Sequence, residues 1–127
     1  MNNSLLYNLW ALFAPLIDKL SGLAYTLGVK ILKSDAYSKW FKTETAKIQR
    51  QIEARLVKIE LENYLGNHKH LVGDLWELKF NNGNRIYYTI KKIEDQTMFL
   101  ILGGNKNGQQ KDINQAEKVA KEIHKKT

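Results

Sequence analysis

The sequence predicts an α+β fold: a helical hairpin and a terminal helix on one face of a small, largely antiparallel sheet. Three observations carry this. Apolar side chains recur at helical spacing between Ala36 and Ile59. Three strand-like runs follow between Leu75 and Leu102, the first two separated by a turn signal. A helical pattern then returns from Asp112 onward.

Taken in order, Val29 to Leu32 is a short β-type run, and Ser34-Asp35 offers a helix N-cap. Ala36, Tyr37, Trp40 and Phe41 then share one helical face. A second helix places Ile48, Ile52, Leu56 and Ile59 in register, with Lys47, Arg50, Arg55 and Lys58 elsewhere on its surface. Gly66 and Asn67 are expected to cap its end. The strands are expected at Leu75 to Phe80, Arg85 to Lys91 and Thr97 to Leu102. The third is apolar on both parities, as a central strand would be. Gly103-Gly104 is expected to end it, Asn105 to Gly108 to form a loop, and Asp112 to start a helix through Ile113, Ala116, Val119, Ala120 and Ile123. The element order is β-α-α-β-β-β-α.

Parity decides the register of the first hairpin. Trp76, Leu78 and Phe80 alternate with Leu75, Glu77 and Lys79. A two-residue turn at Asn82-Gly83 would put Arg85 on the apolar face. A loop of three or five residues instead pairs Lys79 with Arg85, Leu78 with Ile86, Glu77 with Tyr87 and Trp76 with Tyr88, and keeps both faces consistent. The odd loop is therefore expected, with Glu77, Lys79, Arg85 and Tyr87 on one polar face.

The chain divides into an apolar N-terminal extension, residues 1–28, and a basic domain, residues 29–127. Leu5, Leu9, Leu12, Leu16 and Leu20 form a helical stripe in the extension, interrupted by Pro15. No Lys or Arg precedes this run, which argues against a signal peptide. Asn8, Pro15, Asp18 and Lys19 argue against a membrane span. The extension holds one acid and one base, so the basic domain carries the whole net charge of +7 on 127 residues. Such a surplus points to a polyanionic partner. With no Cys, the chain has neither disulfides nor a thiol nucleophile nor a Cys-containing zinc motif.

The polar strand face is the first candidate site. Cleaving RNA needs a base for the ribose 2′-OH, an acid for the leaving 5′-oxygen and a cation beside the developing phosphorane charge. Arg85 suits the last role, because its planar fork binds phosphate bidentately. Lys79, Glu77 and Tyr87 suit proton transfer. The same pattern also fits an ordinary solvent-facing strand face. His68 and His70 lack an identifiable third ligand, so no metal site is expected; they fit proton donors near a sheet edge or solvated loop residues. His124 fits a cation at a helix end. The Gly-rich stretch Gly103 to Gly108 lacks the spacing of a phosphate loop.

Trp76-Glu77-Leu78-Lys79, then Asn84-Arg85-Ile86-Tyr87-Tyr88, then Leu102-Gly103-Gly104-Asn105-Lys106 with Gln109-Gln110-x-Asp112-Ile113 resemble the RelE/ParE superfamily of bacterial toxins, in particular its HigB-like addiction module killer branch. The likeness runs from about Val29 to Lys121 and opens with Ser34-Asp35-x-Tyr37-x-x-Trp40. Asn105 stands where the family has Asp, and the first hairpin is two residues shorter than its pattern. The resemblance implies the fold reached above and a cytoplasmic type II toxin that cleaves mRNA on the ribosome with neither metal nor cofactor. Its partners would be the ribosome, mRNA and an antitoxin, often of helix-turn-helix type. It matches Arg85, Lys79 and Lys106 to basic positions of the family. Together with Tyr87 and Glu77 of the polar face, Arg85 and Lys79 are the expected catalytic set, and Lys106, Gln110, Lys111, Arg55, His68 and His70 are the expected RNA or ribosome contacts. A ParE-like gyrase inhibitor and a non-catalytic antitoxin-binding module are the alternatives.

Overall fold

The computed structural model describes residues 28–92 and 96–126. Nearly all of the N-terminal extension, residues 1–27, thus lies outside the described residues, and its helical stripe with it. The elements are β1 (Lys30–Lys33), α1 (Asp35–Thr43), α2 (Ala46–Glu62), β2 (His68–Val72), β3 (Leu75–Lys79), β4 (Asn84–Lys92), β5 (Gln96–Asn105), a single 3₁₀ turn (Lys106–Gly108) and α3 (Gln109–Lys125). The sheet order is β1-β5-β4-β3-β2, parallel only between β1 and β5. No helix among the described residues is long and apolar enough to cross a membrane.

Local chemistry sets the helix ends. Ser34 Oγ accepts the Tyr37 N–H at 3.0 Å and donates to Ile101 O at 2.6 Å, so one hydroxyl caps α1 and ties it to β5. Thr45 caps α2 in the same manner, with 3.3 Å to the Ile48 N–H. The expected cap at Gly66-Asn67 is corrected: α2 ends at Glu62, and Asn63 takes the left-handed conformation at φ 55°. Asn tolerates that region better than most side chains.

The β3–β4 register is the one that parity predicts: Trp76 opposite Tyr88, Glu77 opposite Tyr87, Leu78 opposite Ile86 and Lys79 opposite Arg85. The Phe80 N–H also donates to Asn84 O at 3.1 Å, leaving the three-residue loop Asn81-Asn82-Gly83. Gly83 closes that loop at φ 93°.

Two expectations about β5 and α3 are corrected. The strand does not stop at Gly103-Gly104 but runs to Asn105, and α3 starts at Gln109 rather than Asp112. Both glycines are seats for side chains. A Cβ on Gly103 would lie 2.0 Å from the Trp40 ring, and one on Gly104 would lie 2.2 Å from Asp112 Oδ2. The β4–β5 register shifts between Tyr87 and Tyr88, which pair with Leu102 and Leu100 and leave Ile101 as the extra residue of a bulge. That extra residue re-phases the alternation. Leu100 packs with the hairpin core, while Ile101 and Leu102 both join the opposite one.

The helices therefore occupy both faces of the sheet, not one as the sequence reading had it. The α1–α2 hairpin buries Tyr37, Ile52, Leu56 and Ile59 against Leu78, Ile86, Tyr88, Met98 and Leu100. Across the sheet, α3 buries Ala116 and Ala120 against Leu75, Tyr87 and Ile101. Small residues at 116 and 120 let α3 lie close to the strands. At its far end the Lys91 ammonium donates to Ile123 O at 2.8 Å. The Thr89 hydroxyl donates to Asp74 O at 2.6 Å, so the His124 Nε2–H at 2.8 Å donates to Thr89. His124 is thus an anchor of α3, a more specific role than a helix-end cation.

Candidate active site

The four residues expected to form the catalytic set meet on the α3 face, where antiparallel pairing of β3 and β4 sets Glu77 beside Tyr87 and Lys79 beside Arg85. The face is not the open polar surface that the pattern suggested. Glu77 and Tyr87 are each 0% exposed, because the first turns of α3 lie over them. Arg85 Nε stands 3.3 Å from Glu77 Oε1, and the Arg85 side chain is 14% exposed. Arg85 Nη1 donates to the carbonyls of Phe80 at 3.3 Å and Asn84 at 2.9 Å, fixing the guanidinium at the hairpin turn. Lys79, half-buried, borders the same face, and its ammonium has no acidic partner among the described residues.

A carboxylate taken out of water needs more than one cation to satisfy its lone pairs. Gln109, the first residue of α3, supplies the rest: its Nε2 donates to Glu77 Oε1 at 2.9 Å and to Oε2 at 3.1 Å. Asp112 sits one turn further, in the space over Gly104. Burial raises the Asp112 carboxyl above the ordinary range, with Lys111 opposing. Burial pushes the Tyr87 phenol up to about 12; the negative charges of Asp112 and Glu77 add to the shift and Arg85 opposes it. The Tyr87 hydroxyl is buried without a hydrogen-bond partner among the described residues.

Sequence reasoning missed Gln109 and Asp112 as site residues. The signal was present in the Gln109-Gln110-x-Asp112 run, but placing the helix start at Asp112 left Gln109 in a loop. Gln110, chosen in its stead, is exposed and donates to Asn114 Oδ1 at 3.0 Å.

The expected RNA contacts divide by face. Lys106 is brought to the site's end of the sheet: its N–H donates to Gly83 O at 2.9 Å, tying the segment after β5 to the β3–β4 turn. Gln110 and Lys111 are exposed on the first turn of α3. Arg55, His68 and His70 are not brought to this group. Arg55 lies under the hairpin side, donating to the carbonyls of Leu65, Asn67 and Lys79, with its guanidinium 4.6 Å from the centre of the Phe80 ring. Desolvation lowers its pKa, with Tyr88 and Tyr64 opposing. His68 and His70 stand on the edge strand β2, not in a loop, with ring centres 5.8 and 4.9 Å from that of Trp76. The His68 Nδ1–H donates to Gly66 O at 2.8 Å and the His70 Nε2–H to Gly73 O at 2.7 Å.

Comparison with known proteins agrees with this architecture. No family model matches the sequence. A Haemophilus influenzae protein, described only as uncharacterized, is 26% identical over 96 residues, which is 75% of this chain and 96% of that protein. The structure of a mutant E. coli RelE toxin in the free state superposes with a TM-score of 0.55 at 14% identity, covering 70% of this chain and 93% of that one. The isolated E. coli RelE toxin gives 0.50 at 16% identity, covering 71% and 97%. Over about 70% of its length, the chain has the α+β fold of the RelE toxin.

Proposed function

We propose that this protein is the toxin of a type II toxin–antitoxin module and cleaves mRNA on the translating ribosome. The observation that carries this reading is the convergence of Arg85, Glu77, Tyr87 and Lys79 on one sheet face of a RelE-type fold, with Lys106 and Lys111 exposed at its border. Arg85 is the phosphate-facing cation: Nη1 is held by two carbonyls and Nε lies in ion-pair range of Glu77, which leaves Nη2 to face the phosphate. Glu77 and Lys79 flank it as proton-transfer groups for the 2′-oxygen and the 5′-oxygen. A phenol near 12 is a weak neutral-pH acid, and its hydroxyl is buried under α3, so Tyr87 shapes the site rather than transferring a proton. The HigB-like branch, a helix-turn-helix antitoxin and action in the cytoplasm belong to the same proposal.

Induced expression should arrest growth and leave cuts within translated codons. Arrest with intact mRNA would sink the nuclease reading, and DNA breaks in that case would favour a ParE-like gyrase inhibitor. Complete burial of Glu77 and Tyr87 favours a second reading, a module that binds an antitoxin without catalysis. An Arg85→Ala variant as toxic as the parent would count against catalysis at this face, and a parent that binds its antitoxin without arresting growth would support the second reading.

A further inference from the structure

We infer that Gln109 is a positioning residue of this site, acting through Glu77. The inference rests on the nuclease reading for its consequence in rate, but its geometry stands by itself. Glu77 is wholly buried, and its oxygens meet two groups: Arg85 Nε at 3.3 Å from Oε1, and the Gln109 amide at 2.9 and 3.1 Å from both. Arg85 Nε lies in ion-pair range without making a hydrogen bond, so the Gln109 amide makes the directional contacts with this carboxylate. It sets the plane of the carboxylate, and with it which oxygen faces Arg85.

Gln109 reaches this place because it opens α3. The helix is held at its other end by Lys91 on Ile123 O and by His124 on Thr89, and in its middle by Ala116 and Ala120. Asp112 docks over Gly104 one turn beyond Gln109. The amide is therefore presented by a braced helix rather than a loop, the arrangement that holds a reactive group within a few tenths of an ångström. Gln109 does not itself touch the reacting phosphate in this scheme; it orients the group that takes the proton.

Gln109→Glu keeps size and shape but replaces the donor with a second carboxylate. In a purified translation system, cleavage at saturating ribosomes should fall at least roughly tenfold, with half-saturation unchanged. The acid limb of the rate profile should move to higher pH, since two adjacent carboxylates resist joint ionisation. The Arg85 Nε–H signal in the ¹⁵N NMR spectrum of the free protein should shift. Gln109→Leu, which is apolar and favours helix, repeats the rate and Arg85-signal comparisons should the Glu variant not fold. An active parent with rate, profile and Arg85 signal all unchanged in the variant overturns the inference. An inactive parent whose Arg85 signal still moves keeps the positioning role and overturns the nuclease reading instead.

Discussion

The two faces of the sheet are built on different rules. Under the α1–α2 hairpin, three long aliphatic side chains of one helix, Ile52, Leu56 and Ile59, meet large apolar residues of three strands. Under α3 the helix contributes Ala116 and Ala120, and the strands contribute Glu77, Arg85, Thr89 and Lys91 beside Leu75, Tyr87 and Ile101. The first face holds the fold together by apolar burial. The second adds to a smaller apolar cluster several polar contacts that each have one geometry, so it is the face where position, and hence chemistry, is specified.

The sharpest way to break this contrast is to strand a buried charge. Glu77→Leu leaves Arg85 without its counter-ion and should cost about 3–5 kcal/mol, whereas Glu77→Leu with Arg85→Met should cost clearly less. Urea unfolding of both variants and of Arg85→Met alone measures the coupling; a double variant whose cost is the sum of the two single costs would mean that the pair is not coupled. On the hairpin face the corresponding rule is steric. Gly103→Ala drives a methyl into the Trp40 ring and should cost about 3 kcal/mol, most of it recovered by Trp40→Leu in the same chain.

Smaller effects sharpen the comparison. Lys91→Met removes a buried donor from the last turn of α3 and should cost about 1–2 kcal/mol. Amide exchange should accelerate at the end of α3 and stay unchanged in α2; faster exchange throughout would show that the faces unfold as one. Asp112→Asn has the smallest expected effect and reverses its sign. The folded chain holds the Asp112 proton more tightly than the unfolded chain, so the stability linked to that proton is fully present below the ordinary Asp range and lost as pH rises through the raised value. The variant should therefore melt slightly above the parent at neutral pH, with the gap closing in acid below about pH 4. A gap independent of pH would assign the effect to something other than this proton.

Much of the site was legible because strand parity is a local rule. Alternation of Trp76, Leu78 and Phe80 with Glu77 and Lys79, joined to the odd loop that keeps both faces consistent, was enough to pair Glu77 with Tyr87 and Lys79 with Arg85. What parity could not give is what lies above that face. The stripe Ile113, Ala116, Ala120 and Ile123 says that α3 buries one side, and it says so identically for either face of the sheet. His68-Lys69-His70 carries no apolar alternation, so the sequence left it open between a sheet edge and a loop; an edge strand needs only one partner and can be polar on both sides.

Gly103-Gly104 shows the same limit from another side. As sequence, paired glycines end a strand. In the structure they continue it, because one must admit Trp40 from the hairpin side and the other Asp112 from the α3 side. The sequence by itself determined the helical hairpin, the β3–β4 register and the grouping of Arg85, Glu77, Lys79 and Tyr87, since each depends on residues near one another in the chain. Tertiary structure alone decided that α3 crosses to the opposite face, that Glu77 is sealed rather than solvated, and that Gln109 rather than Gln110 meets it. Those outcomes depend on how an amphipathic helix docks, and its apolar period carries no record of the surface it will cover.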